Sequence, residues 1–312
     1  MNIIKISGVI CTHNCSELLP KAIESLIDQT LDKSLYDIVV VDNGSTDETR
    51  QVCDGFREYS NLRYVYEPEL GLSNARNTGI ANAKGEIVAF IDDDATADSN
   101  WLLNIEQMFS NSSFYAIGGK VLPVFEKPRP TWLYPGIDRI LTILDLGNQI
   151  VPFEYPYNGP CGTNMAFRKS VFEKIGYFDP ALGRIGKNLL GAEETDLFKK
   201  MELNSMNFVY APDCTVYHLV PEKRLTRSYV RKRYYYQGYS VAFLALKYDS
   251  FVNVLFRDIL SLFHKMGSHN DSQKISDKSA KKGLFYYEVK GILYCTYLFF
   301  LVINAFKKIL KD

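Results

Sequence analysis

Three acids in a row, Asp92-Asp93-Asp94, follow the apolar run 87–91. On an extended chain the first and third carboxylates project to the same side, so Asp92 and Asp94 can share one divalent cation. Magnesium and manganese favour hard oxygen ligands and keep positions open for water and substrate phosphates, which suits an Asp-x-Asp that grips a diphosphate through Mn²⁺ or Mg²⁺. The plainer reading is a solvated acidic turn ahead of a helix at Trp101. A second acidic group, Glu193, Glu194 and Asp196, opens a helical stretch. There the helix dipole favours negative charge whether or not the carboxylates do chemistry.

The elements that must position these acids follow from hydrophobic periodicity. Short β-branched runs at 3–10, 38–41, 62–66 and 87–91 read as strands, separated by helices near 17–29, 47–59 and 74–83. Runs without polar interruption suit strands covered on both faces, so the pattern predicts an α/β fold with a Rossmann-like, doubly wound, mostly parallel sheet. Ligands of such a sheet sit beyond the carboxyl ends of its strands. Standing there are Thr12-His13-Asn14, Asp42-Asn43-Gly44 and the three acids. Further on the sequence predicts a strand at 114–124, a proline-marked lid or acceptor-side segment to 160, a strand at 162–167, helices at 169–175 and 193–206, and a strand at 213–219. The domain reading is a catalytic domain at 1–220, a basic and aromatic helical segment at 221–266, a polar linker at 267–282 and an apolar helix at 283–312.

The segments VVVDNGSTDET, GLSNARNTGIANAKGEIVAFIDDDA, GTNMAFRKSVFEKIGYFDP and GAEETDL occur in that order, and together they resemble the family 2 glycosyltransferases over roughly residues 4–220. The resemblance implies a GT-A fold, an inverting displacement, a nucleotide-sugar donor with UDP favoured, and a saccharide or lipid-linked acceptor. It implies that Asp92 and Asp94 hold the metal, that Thr12 and Asp42 border the nucleoside, that Arg76 lies near the base or phosphates, and that Asp93 approaches the ribose or sugar. A carboxylate at a strand end can indeed accept from a pyrimidine N–H and a ribose hydroxyl, although the turn formers around Asp42 suit an Asx turn equally well. Arg76 offers a fork for phosphate, or a surface ion pair.

By the same matching, Gly162, Thr163 and Asn164 form a small polar wall beside the sugar, with strand packing as the competing reading. The family usually carries Glu-Asp where this chain has Glu193-Glu194, the second acid serving as base. That makes Glu194 the general base and sets Glu193 beside the substrate. Glutamate is longer by one methylene, about a bond length in placement, which matters where reacting groups must be aligned. His218 either completes the metal sphere, bonds a phosphate oxygen, or is structural. Basic residues Arg224, Arg227, Arg231, Lys232 and Arg233, interleaved with tyrosines, face a diphosphate, a lipid phosphate or solvent.

Other classes fit less of the chain. Asp92-Asp93-Asp94-Ala95-Thr96 also satisfies the Asp-x-Asp-x-Thr of haloacid dehalogenase-like phosphohydrolases, but that motif belongs on a first strand and would leave ninety upstream residues idle. The first strand runs into Cys11-Thr12-His13-Asn14-Cys15 without a GxGxxG, which argues against a dinucleotide oxidoreductase. Glutamate at 194 invites a catalytically silent donor-binding protein held at a membrane. Cys11, His13 and Cys15 crowd together without the second ligand pair that a zinc site needs.

Charge divides the chain. Residues 1–220 carry 19 Lys+Arg against 29 Asp+Glu, and residues 221–312 carry 17 against 7. An acidic main domain points away from nucleic acid, and a basic tail points to an anionic surface. Six cysteines without a CxxC suit a reduced setting, and the first nine residues lack the pattern of a signal peptide. Residues 291–306 contain no charge, and 251–266 place apolar residues on one helical face. With the basic surplus, these predict attachment at the cytosolic face of a membrane or a homo-oligomer contact.

Overall fold

The computed structural model describes residues 3–153, 159–186, 188–254 and 284–309. The chain divides into two compact units: Met1–Pro128 with Leu141–Asn188 and Glu193–Glu222, and Arg129–Ile140 with Leu189–Ala192 and Lys223–Asp312. The second unit therefore gathers two segments from within the first 220 residues, so the division is not a single cut.

In the first unit β1 (Ile6–Thr12), β2 (Tyr36–Asp42), β3 (Leu62–Tyr66) and β4 (Ile87–Asp92) lie in the order β3-β2-β1-β4, parallel throughout. Every residue of β2 is buried, as are the first five of β1 and of β4. Alternate side chains serve opposite faces, as the pleat requires. Ile6, Ile10, Ile38, Val40, Ala89 and Ile91 pack with α1 (Leu19–Ile27) and with Cys53 of α2 (Thr49–Asp54). Val9, Val39, Val41, Val88 and Phe90 pack with Ala75 and Ile80 of α3 (Leu72–Asn82). Helix α2 is shorter than periodicity predicts, ending at Asp54 with Gly55 after it.

The sheet as a whole stays mostly parallel, but beyond β4 it takes in antiparallel strands. The remaining elements are β5 (Ala95–Ala97), α4 (Trp101–Ser110), β6 (Ala116–Phe125), β7 (Val151–Pro152), β8 (Asn164–Arg168), α5 (Ser170–Ile175), α6 (Glu193–Leu203) and β9 (Phe208–Val220). Strand β8 inserts between β4 and β6, antiparallel to both, while β6 and β9 run parallel and β5 and β7 are antiparallel to β9. Antiparallel neighbours need no crossover helix, so the βα rhythm that announces the first half is missing here. Asn164 locks this junction. Its Oδ1 accepts from Trp101 Nε1 at 3.0 Å, and its Nδ2 donates to the carbonyls of Lys120 and Cys214, both at 2.8 Å.

The second unit contains α7 (Arg227–Tyr248) and α8 (Leu284–Ile309). Thr226 caps α7, its hydroxyl accepting from Tyr229 N at 3.2 Å. The two helices run parallel, since Arg231 meets Glu288, Gly238 meets Leu293 and Thr296, and Ala242 meets Leu301. At Gly238 a Cβ would stand 2.7 Å from the Leu293 carbonyl oxygen, so only glycine permits this approach. Helix α8 runs straight through Glu288 and Lys290, joining 284–287 to the uncharged run and extending the apolar stretch to 23 residues, Leu284–Phe306, with mean hydropathy 1.7. Phe285, Val289, Thr296, Leu301 and Ala305 are buried, whereas Leu284, Tyr287, Tyr294, Leu298, Phe299 and Phe306 are exposed. Of the helix expected at 251–266 only 251–254 falls within the described residues, and the linker 267–282 falls outside them.

Candidate active site

Asp92 is the last residue of β4, and a two-residue turn of Asp93 and Asp94 leads directly into β5. Antiparallel pairing of β5 with β9 sets Ala95 opposite His218, and Leu219 N donates to the Asp94 carbonyl at 2.9 Å. His218 Nε2 consequently lies 3.5 Å from Asp94 Oδ1, with the imidazole almost fully buried. Asp92 is held on the other side, its backbone N–H pointing to Thr163 Oγ1 at 3.4 Å. Among the described residues no three His, Cys, Asp or Glu side chains are gathered closely enough to enclose an ion by themselves. The arrangement nevertheless fits a hard cation that keeps open positions. Burial first, and then the neighbouring charge of Asp94, push the Asp93 carboxyl up to about 7, with Thr12 pulling the other way and Asp92 adding to the rise. Three acids crowded in a strand turn are short of positive charge.

Arg76 of α3 supplies part of it. Nη2 lies 3.9 Å from Asp92 Oδ1, and Nη1 donates to Glu193 Oε1 at 2.8 Å. Burial opposes the guanidinium charge, and the carboxylates of Glu193, Glu194 and Asp92 outweigh it and raise the Arg76 pKa. The guanidinium lies over the Phe178 ring at 5.4 Å. A Cβ at Gly162 would strike Arg76, so the glycine there makes room for the arginine.

Glu193 and Glu194 open α6 as adjacent residues with different surroundings. Glu193 is buried and tied to Arg76. Glu194 is half-buried, and its Oε2 is enclosed with no hydrogen-bonding partner. Burial, then the charge of Glu193, push Glu194 up to about 7 against the pull of Arg76. A carboxylate with a raised pKa and a free oxygen is a group that can take a proton near neutral pH.

Thr12 and Asp42, expected beside a nucleoside, lie at the ends of β1 and β2. Thr12 and Asp42 are both buried, and Asn43 N donates to the Thr12 carbonyl at 2.8 Å. Asp42 forms the Asx turn, Oδ1 accepting from Ser45 N at 2.9 Å, and Oδ2 accepts from the Tyr64 hydroxyl at 2.8 Å. Each oxygen keeps a second lone pair. Asp92, Asp93, Asp94 and His218 thus form one group and Arg76, Glu193, Glu194, Gly162 and Thr163 a second, joined through Asp92. Asn164 belongs instead to the scaffold. Its buried amide N–H groups are both engaged by backbone carbonyls. The basic run 224–233 lies in the second unit.

Sequence reasoning missed the residues that hold α3 in register. Ser73 Oγ donates to the Leu182 carbonyl at 2.8 Å, and Asn77 exchanges two bonds with the backbone of Phe178, at 2.9 and 3.0 Å. Ser73, Arg76 and Asn77 share one helical face, a spacing of three and four that could have flagged them.

Comparison with known proteins gives a consistent pattern. Residues 7–176 match the family model for glycosyl transferase family 2. Glucosyl-dolichyl phosphate glucuronosyltransferase of Haloferax volcanii is 27% identical over 257 residues, covering 78% of this chain and 79% of that protein. Succinoglycan biosynthesis protein ExoM of Rhizobium meliloti is 26% identical over 234 residues, covering 73% of this chain and 71% of that one. Among solved structures, mannosyltransferase PcManGT from Pyrobaculum calidifontis, in complex with GDP-Man and Mn²⁺, superposes with a TM-score of 0.57 at 20% identity, covering 78% of this chain and 66% of that longer chain.

Proposed function

The chain belongs to glycosyl transferase family 2, and from that premise we propose that it passes a sugar with inversion from a nucleoside diphosphate donor, bound through Mn²⁺ or Mg²⁺, to a hydroxyl of a lipid-linked or saccharide acceptor. The observation that carries this reading is the contrast between two neighbouring acids. Arg76 fixes Glu193 at 2.8 Å, whereas Glu194 keeps an enclosed oxygen without a partner.

In the proposed reaction Glu194 takes the proton of the acceptor hydroxyl while its oxygen attacks the anomeric carbon. The bond from that carbon to the diphosphate breaks on the opposite face. Asp92, Asp94 and His218 would hold the metal, which supplies positive charge to the departing diphosphate. Thr12 and Asp42 border the nucleoside, Asp93 approaches the ribose or sugar, and Gly162 and Thr163 leave space beside it. Arg76 keeps Glu193 charged and in place, so that Glu194 is the acid left to titrate.

A panel of UDP-, GDP- and dTDP-sugars tests the donor class. A cognate donor with Mn²⁺ should raise the melting temperature and support transfer, and the rise should vanish without metal, because ligand binding stabilises by mass action. Release of phosphate from simple phosphoesters, with no response to any nucleotide sugar, would sink the reading in favour of a phosphohydrolase.

We further infer that α8 attaches the protein to a membrane at its cytosolic face. Support comes from its apolar length of 23 residues, its exposed apolar face and the basic surplus after residue 220. Leu298 and Phe299 are 48% and 58% exposed, so charging them should spare the packing on α7. Flotation with anionic vesicles should be lost in the double variant Leu298→Glu, Phe299→Glu. Equal flotation of both proteins, or of neither, would make the face an oligomer contact instead.

A further inference from the structure

The second unit holds an open pocket of about 310 Å³ between the segment 129–140 and the first turns of α7 and α8, with Arg227 exposed on its wall. Its organising group is Arg227. The guanidinium stands 5.5 Å from the ring centre of Trp132 and 5.2 Å from that of Phe285, and the two rings meet edge to face at 5.1 Å. These contacts consume none of the guanidinium N–H donors, and Arg227 makes no hydrogen bond among the described residues. Its neighbour is differently placed. Arg231 forks onto Glu288, the acid of the cavity wall, at 2.5 and 3.3 Å, which neutralises that carboxylate and leaves Arg227 as surplus positive charge. A pre-oriented fork without a carboxylate of its own suits a phosphate.

The rim indicates what carries the phosphate. Leu284 lines the cavity and is 87% exposed, and from it the exposed residues Tyr287, Tyr294 and Leu298 continue along α8 at helical spacing. A small anion gains nothing from that stripe. A phosphate with a long hydrocarbon chain can place its head at Arg227 and its chain against the stripe, with Trp132 at the level where aromatic residues prefer a membrane surface. We infer that the cavity around Arg227 binds the anionic phosphate head of a membrane lipid. This rests on the membrane reading of α8 given above and adds a defined headgroup site to it.

The test uses full-length protein and lipid monomers, so that it does not depend on vesicle attachment. Trp132 is one of two tryptophans, and the other, Trp101, is fully buried in the first unit, so a change in fluorescence reports on the cavity. Dihexanoyl phosphatidylglycerol, titrated below its micellar concentration, should give a saturable change. Arg227→Gln should weaken it about tenfold or more, as for loss of a charge-assisted bond, whereas Lys232→Gln, an equal loss of charge at an exposed neighbouring position, should leave it within about twofold. Equal weakening by both substitutions, or an equal response to dihexanoyl phosphatidylcholine, would overturn the assignment. So would inorganic phosphate at the same affinity, which would make this a free-phosphate site. Monomer binding at Arg227 by a protein that fails to float with vesicles would keep the site and remove the membrane reading.

Discussion

Asp94→Asn should lower transfer by about a thousandfold, because a bound cation contributes several kcal/mol to the stability of a departing diphosphate and each 1.4 kcal/mol is a factor of ten. The substitution keeps size and removes the charge that faces both His218, 3.5 Å away, and the turn shared with Asp92. Excess chelator should do the same to the unaltered protein, with activity restored by Mn²⁺ or Mg²⁺. The melting temperature of the metal-free variant should be no lower than that of the metal-free parent, since burial and Asp94 together raise Asp93 and one fewer charge relieves that crowding. Full turnover in the variant or in chelator would remove the metal from the mechanism.

Glu194→Gln should cost about a hundredfold or more in kcat with donor affinity nearly unchanged, as expected when a general base is lost and the binding groups remain. The parent enzyme should lose kcat/KM about tenfold per pH unit below about 7, where Glu194 becomes protonated, and the variant should lack that limb. Stability should move the opposite way. Glu194 is raised from 4.5 to about 7 in the fold, so the folded state holds more protons than the unfolded one between those values, and its stability falls as pH rises through that window. An uncharged amide escapes that loss, and the variant should melt higher than the parent at pH 8. A variant that is slower and sturdier is the signature sought. If Glu193→Gln gave the larger kinetic loss with Glu194→Gln mild, the base would move to Glu193.

The parallel half of the sheet could be read from its residues because β2 is buried end to end and β1 and β4 nearly so, which writes uninterrupted apolar runs into the sequence. The second half could not. Strand β8 enters between β4 and β6 in the opposite sense, and its Asn164 looks like a pocket residue until its amide is seen joined to Trp101, Lys120 and Cys214. The three consecutive acids were visible as a motif, but His218 joins them only through the antiparallel pairing of a three-residue strand, β5, with β9. Likewise Arg76 and Glu193 lie 117 positions apart, and no local pattern pairs them. Glu288 and Lys290 stand between residues 284–287 and the uncharged run. Glu288 is answered by Arg231, so the helix passes through it.

The parallel course of α7 and α8 bears on the order in which the chain becomes structured during synthesis. Every strand of the sheet precedes residue 221, so the first unit has all of its strands before α8 has been made. The second unit has no such freedom. Its helices lie side by side in the same direction with 35 residues between them in sequence, and the pair forms only once α8 has been made. Trp132 is translated about 150 residues ahead of Phe285, the ring it finally meets, and domains made first generally fold first. The segment 129–140 thus waits for a partner made much later, and a ribosome that stops short of α8 releases the strands of the sheet with an unfinished second unit.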